Sequence, residues 1–278
     1  MKYLVCWAML AVTACSNNQK AIRVKGSDTE VNLAVDLAEN FYKVNNNFSV
    51  AISGGGSGMG IASLMNRQAD IANSSRPLNA EEDSLFKKRG IQIRTVVFAE
   101  DATAFIVNKS FPLDSIDVAT LTAVLSGKYK TWQPVTKQHI PVNIYGRQSN
   151  SGTHSFISKK LNIQFSPDAK EMNGNAQIME GVKRDASGIG YVGAGYLLHD
   201  GANPSVKILK ITEKQGRQAV SPLDKKAILE HRYYFQRPLY QFIPAASWQK
   251  VSAFIDFEKG PAGQKIIQQS GYYIIPGN

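Results

Sequence analysis

Ile22-Arg23-Val24 has strand character, Gly26-Ser27-Asp28-Thr29 is turn-prone, and Val31, Ala34, Ala38, Phe41 and Tyr42 follow with the spacing of an apolar helix face. This order of strand, loop and helix N-terminus repeats. Phe48–Ile52 reads as a strand, Gly54-Gly55-Gly56-Ser57-Gly58 as a loop, and Ile61–Arg67 as a helix. Asp70–Asn73 is a third strand ending at Ser74-Ser75-Arg76. Asn79 with Glu82 three residues on is a capping box for a helix ending near Gly90, and Thr95–Phe98 is the next strand. Strands alternating with helices predict an α/β fold with a mainly parallel sheet. Ligands of such sheets bind beyond the carboxyl ends of the strands, where all three Ser/Gly-rich loops lie.

The same architecture recurs downstream. Thr103–Val107 opens a second unit with a helix at Asp117–Leu125, a strand at Val142–Tyr145, and Arg147–Thr153 leading into a helix that begins at His154 or Ser155. A helix at Ala176–Lys183 and strands at Ile189–Val192 and Val206–Ile211 follow. Near Pro238-Leu239-Tyr240 the chain crosses back, because the helices Trp248–Phe257 and Gly263–Gln269 need a sheet to cover. Tyr272–Ile275 reads as a docked terminal segment. The expected division is a signal at 1–14, lobe 1 at 15–102, lobe 2 at 103–234 and a return to lobe 1 at 235–278.

At its start, Lys2 precedes an apolar run, Tyr3–Ala14, that closes on Val12-Thr13-Ala14-Cys15 and a polar stretch. That pattern reads as a secretion signal, too short for a membrane span of roughly 20 residues. The small residues before Cys15 resemble a bacterial lipobox, which makes Cys15 the lipidated first residue of the mature chain. With Cys6 removed alongside the signal, no thiol is left for a disulfide or thiolate metal site. The net charge of +10 is scattered in ones and twos, without a dense basic run or an RNA-binding aromatic motif. It argues against nucleic acid and for a general field that draws small anions.

Arg147-Gln148-Ser149-Asn150-Ser151-Gly152-Thr153 follows a strand and precedes a helix. Helix N-termini expose unpaired N–H groups and partial positive charge, so Ser151, Gly152 and Thr153 suit an oxyanion while Arg147 adds a two-pronged donor. Ordinary capping by Ser or Thr accounts equally for this segment taken alone. Gly54–Gly60 is a second oxyanion candidate, with Ser57 at a helix start. It lacks the Lys-Ser/Thr pair of a Walker loop and the acidic partner of a dinucleotide site, and it misses the last glycine of a hydrolase elbow. His139, His154, His199 and His231 are widely separated, which argues against a metal or catalytic histidine centre.

In order along the chain, Gly26-Ser27-Asp28-Thr29, Gly56-Ser57-Gly58, Asp70–Leu78, Asp101–Asn108, Ser126-Gly127-Lys128-Tyr129, Arg147 with Ser151-Gly152-Thr153, Gly188–Gly193 and Gly263-Gln264-Lys265 resemble the phosphate-binding proteins of bacterial phosphate-specific ABC transporters. The resemblance covers nearly the whole mature chain. It implies a type II periplasmic-binding-protein fold, with two lobes hinged by two crossings and closing over one phosphate. It also implies a monomer, tethered to the membrane by lipid, that delivers phosphate to ABC permease subunits without a cofactor, a metal or catalysis of its own. Ligand positions carry over to Ser27, Thr29, Ser57, Ser75, Arg147, Ser151, Gly152 and Thr153.

There are departures from the family pattern. Some members have an aspartate where Ser75 stands here, to accept the proton of hydrogen phosphate and repel sulfate, and a second acidic residue in the Arg147 loop is also missing. Asp28 or Glu30 is the expected substitute acceptor, with Arg76 adding positive charge to the site; Asp28 as a plain helix cap stays open beside this. So do two other functions: the same fold holding sulfate, molybdate or another tetrahedral oxyanion, and a secreted phosphoester hydrolase.

Overall fold

The computed structural model of the chain describes residues 21–199, 206–214 and 217–275. The expected signal and Cys15 therefore lie outside the described residues. The first lobe begins with β1 (Ile22–Gly26), a 3₁₀ turn (Asp28–Glu30) running into α1 (Val31–Val44), β2 (Val50–Ser53), α2 (Ser57–Met65), β3 (Ile71–Ser74) and α3 (Ala80–Lys88). β4 (Ile93–Asn108) carries the chain into the second lobe. That lobe holds β5 (Ser115–Asp117), α4 (Val118–Leu125), α5 (Gln133–Thr136), β6 (Asn143–Arg147), α6 (Gly152–Leu161), β7 (Lys170–Met172) and α7 (Asn175–Arg184). It continues with β8 (Gly188–Gly193), α8 (Ala194–His199), β9 (Val206–Ile208), β10 (Lys210–Thr212) and α9 (Lys225–Leu229). β11 (Gln236–Pro244) returns to the first lobe, which α10 (Trp248–Lys259) and α11 (Pro261–Gln269) complete.

The strands form one path, β2-β1-β3-β11-β4-β8-β6-β7, with β9 added on β4 and a separate β5/β10 pair. Strands linked through helices are parallel, as in β1 with β2 and β3 and in β6 with β8. The two crossing strands interrupt that pattern: β11 runs antiparallel to both β3 and β4, and β4 runs antiparallel to β8. This is the mixed α/β arrangement of the type II periplasmic-binding-protein fold. β4 pairs with β11 up to Ala102 and with β8 from Thr103, so the change of partner marks the passage between lobes.

Three apolar clusters account for the layers. Leu33, Leu37 and Phe41 of α1 pack with Phe254 of α10 and Ile267 of α11 over one face of the first sheet half. Ile61, Leu64 and Phe86 from α2 and α3 cover the other. In the second lobe Phe105, Ile144, Tyr191 and Phe235 centre a larger cluster that also encloses Trp132. Burying a side chain of this kind contributes about 1.5–3 kcal/mol each, so the sheet faces and not the loops supply most of the stabilisation.

Several boundaries differ from the sequence reading. The expected strands Thr95–Phe98 and Thr103–Val107 are one strand, because Ala99, Asp101 and Ala102 between them are buried and stay paired to β11. Val206–Ile211 is split at Leu209, β9 pairing with β4 and β10 with β5. α2 begins four residues before Ile61, at Ser57, and α6 begins at Gly152. Glycines inside α2 are not breakers here: a Cβ on Gly60 would stand 2.5 Å from the Lys25 carbonyl oxygen, so its absence lets the helix sit against β1.

Candidate functional site

β1 ends at Gly26, whose φ of 139° and close approach to the Asn73 carbonyl admit no side chain. The turn this creates sets the Ser27 N–H on the Asn73 carbonyl oxygen at 2.9 Å and leaves Ser27 and Thr29 buried. Ser57 opens α2, and its Oγ accepts from the Ser75 N–H at 3.2 Å just beyond β3. In the other lobe, β6 ends at Arg147, and Ser151 caps α6 by accepting from the His154 N–H, leaving Gly152 and Thr153 in its first turn.

These loops meet. The Gly58 N–H donates to the Asn150 carbonyl oxygen (2.9 Å), Asn150 Nδ2 donates to the Gly55 carbonyl oxygen (3.2 Å), and the hydroxyls of Thr29 and Thr153 lie 3.1 Å apart. A Cβ on Gly152 would stand 2.3 Å from Ser57 Oγ and 2.5 Å from Ser75 Oγ, so only glycine lets the positive end of α6 settle on the two serines. The two halves are therefore in contact through these loops, and Ser27, Thr29, Ser57, Ser75, Arg147, Ser151, Gly152 and Thr153, which the loops carry, are all buried.

Two buried guanidinium groups serve the cluster. Arg147 donates from Nη1 to Asp28 Oδ2 (3.3 Å) and from Nη2 to the Asn173 carbonyl oxygen (2.9 Å), while its backbone N–H donates to the Tyr191 hydroxyl (2.9 Å). Burial lowers its pKa, and the Asp28 carboxylate works against that shift. Arg237 donates from Nε (3.2 Å) and Nη2 (2.8 Å) to Asp101 Oδ2 and from Nη2 to Thr29 Oγ1 (3.3 Å). Burial raises the Asp101 pKa, with Arg237 opposing.

Asp28 also accepts at Oδ2 from the Asn175 N–H (2.8 Å) at the start of α7. It thus joins the first lobe to the second and does not cap the helix of its own segment, where no side-chain cap is formed. Glu30, the other expected acceptor, is fully buried, and burial raises its pKa well above the ordinary carboxyl value, with the neighbouring Ser27 hydroxyl and the Arg237 charge opposing. Burial there favours its uncharged form.

Arg76 does not join the cluster. Its guanidinium grips Glu82 with two 2.7 Å bonds and the Pro77 carbonyl oxygen at 2.9 Å, and Glu82 also closes the Asn79 capping box. The charge expected to add to the site is thus neutralised beside it. Conversely, Arg237, Asp101 and Asn175 were not singled out from sequence; only the β4/β11 register brings Arg237 opposite Asp101.

Chemically, the junction is rich in donors, set beside the buried acceptors Asn73 Oδ1, Asp101 Oδ1 and Asn175 Oδ1, which have no partner among the described residues. Ser75 Oγ, Arg147 Nε and Arg237 Nη1 are buried without hydrogen-bond partners among the described residues. Buried polar groups are otherwise almost always satisfied, and hydroxyls, a helix N-terminus and guanidinium N–H groups at one junction are the kinds of donor that match the lone pairs of an oxyanion.

A family model described as a PBP superfamily domain matches residues 11–258. The phosphate-binding protein PstS of Borreliella burgdorferi is 28% identical over 270 residues, covering 93% of this chain and 92% of the relative. The crystal structure of an ABC-type phosphate transport receptor from Vibrio cholerae superposes with a TM-score of 0.70 at 24% identity, covering 92% of this chain and 100% of that one. A structure from Clostridium perfringens, titled as a proposed phosphate ABC transporter substrate-binding protein with bound phosphate, gives 0.81 at 22% identity, with 92% and 99% covered.

Proposed function

This chain belongs to the PBP superfamily, and from that premise we propose that it captures inorganic phosphate between its lobes and delivers it to an ABC permease, without covalent chemistry of its own. The observation that carries the reading is the seating of the α6 N-terminus, at Gly152, against the Ser57 and Ser75 hydroxyls of the opposite lobe, with the buried Arg147 at the end of the strand that leads into it. A dianion in so dry a place needs many fixed dipoles to replace its water. In this reading the hydroxyls of Ser27, Thr29, Ser57, Ser75, Ser151 and Thr153, the Gly152 N–H and Arg147 supply them. The PstS relative carries the name of a phosphate-binding protein, and the donor set fits that ligand.

Asp28 takes the part of the missing acceptor. It is the acidic side chain in direct contact with Arg147, and a carboxylate there welcomes the proton of hydrogen phosphate and repels sulfate, which has none. Lipidation at Cys15 would hold the protein, as a monomer, on the outer side of the membrane beside its permease. Among the described residues no helix is long and apolar enough to cross a membrane.

Isothermal titration calorimetry of the mature chain with Cys15 replaced and bound ligand stripped, phosphate against sulfate near neutral pH, tests the proposal. Tight one-to-one phosphate binding with little response to sulfate is expected. Preference for sulfate would keep the fold and change the cargo; no anion binding would end the functional reading.

A further inference from the structure

Arg237 lies where the two crossing strands pair, opposite Asp101, and one of its nitrogens reaches past that partner to the ligand loop. The side chains involved are all buried: Arg237 is 2% exposed, Thr29 2%, Thr153 1% and Asp101 0%. Thr29 has little freedom. Its carbonyl oxygen accepts from the Tyr272 hydroxyl, and its methyl group lies where a Cβ on Gly193 would be 2.7 Å away. Its Oγ1 is thereby left to Arg237 Nη2 (3.3 Å) and Thr153 Oγ1 (3.1 Å).

A guanidinium group has only donors, whereas a hydroxyl accepts and has one proton to give. Thr29 Oγ1 therefore accepts from Arg237, and a hydroxyl that accepts from a cation becomes a stronger donor. The 3.1 Å contact with Thr153 can be made in either sense, and the sense that uses this polarisation is donation from Thr29 to Thr153 Oγ1. The Thr153 proton is then free for a further acceptor, at the first turn of α6 where the anion is proposed to sit. The chain of donation runs from the hinge to the cleft.

We infer that Arg237 is a positioning residue for anion capture: anchored by Asp101 between β4 and β11, it polarises the Thr29–Thr153 pair so that Thr153 presents its hydroxyl proton to the ligand. The inference rests on the phosphate reading above. It also gives the ligand a direct link to the strands along which the lobes are joined, since a bond to Thr153 is continuous with the Arg237–Asp101 pair.

The test is a double-mutant cycle on phosphate affinity, read by calorimetry, with Arg237→Lys and Thr153→Val. Lysine keeps the charge beside Asp101, but a single ammonium cannot hold Asp101 and Thr29 in the same two-pronged way. Each single variant is expected to weaken phosphate binding about tenfold, the worth of a hydrogen bond to a charged group. The double variant is expected to lose little more than Thr153→Val alone. A loss near a hundredfold, the product of two independent effects, or unchanged affinity in Arg237→Lys, overturns the inference while leaving the phosphate reading intact.

If Arg237→Lys does not fold, the middle of the chain is tested instead: Thr29→Val should weaken binding and Thr29→Ser restore it, with equal unfolding midpoints. Failure of serine to restore affinity counts against the relay. A wild-type chain that binds no phosphate removes the phosphate reading and the relay together.

Discussion

In the cleft, Arg147 meets Asp28 across the junction of the lobes; at the crossing strands, Arg237 meets Asp101 along a ladder. The chemistry is the same and the setting is not. The Asp28 side chain is 26% exposed and touches its arginine once, at 3.3 Å, while Asp101 is 0% exposed and takes bonds of 2.8 and 3.2 Å on one oxygen. A pair within reach of water is worth little in stability and can exchange partners. A pair removed from water costs much to assemble and more to break, because either survivor is a bare charge. The molecule therefore holds a replaceable counter-ion where the ligand is proposed to enter and a fixed one where the lobes are joined.

That contrast can be broken most severely at the crossing. Arg237→Met should destabilise the fold by about 3–5 kcal/mol by stranding Asp101, measured by urea unfolding, and adding Asp101→Asn should recover most of the loss. Equal midpoints for wild type and Arg237→Met would erase the distinction between the pairs. At the cleft the weight should shift: Arg147→Met is expected to cost a hundred- to a thousandfold in phosphate affinity, about two to three charge-assisted hydrogen bonds, and to move the unfolding midpoint less than Arg237→Met does, because Asp28 keeps access to water and its bond from the Asn175 N–H.

A buried acid with no arginine sharpens the comparison. Glu258 is 2% exposed, accepts among the described residues only from Gln241 Nε2 (3.2 Å), and has its pKa pushed by burial to about 8. Between pH about 4.5 and about 8 the folded chain thus keeps a proton that the unfolded chain, with the ordinary glutamate pKa of 4.5, has lost. Stability from this group is complete below pH about 4.5 and declines as pH rises, until the folded group itself ionises near about 8. Glu258→Gln should flatten that decline and gain on the order of 3 kcal/mol at the alkaline end, seen as unfolding free energy against pH. The smallest effect is at Asp28. Asp28→Asn should reduce the preference for phosphate over sulfate by about tenfold, with the fold intact; an unchanged ratio would show that Asp28 is not the selector.

Much of this was legible before any coordinates. The strand–loop–helix order placed Ser27, Ser57 and Ser75 on loops beyond the strand ends of the first unit and Arg147 at a strand-to-helix passage of the second, and the Asn79/Glu82 spacing marked α3 correctly. What escaped was decided by distance along the chain. Arg237 and Asp101 are 136 residues apart, and nothing local in either segment indicates that β4 and β11 align them. Arg76 shows the opposite failure: its position beside Ser75 pointed to the cleft, but its long side chain reaches Glu82, a neighbour within one helical turn of the cap. The length of β4 was hidden because Ala99–Ala102 carries too little apolar surface to read as a strand until the layers around it bury it.

The route of the chain also sets a timetable. Apart from Tyr273, the large cluster of the second lobe draws on a contiguous run from Ala102 to Phe235, so everything it needs has been made once that run is complete. The main cluster of the first lobe combines Ile22 at one end with Phe254, Ile267 and Tyr272 at the other. Its opening strands must wait for nearly the whole chain, and contacts of such long range form slowly. During synthesis or export, the half that is written first is the half that is finished last.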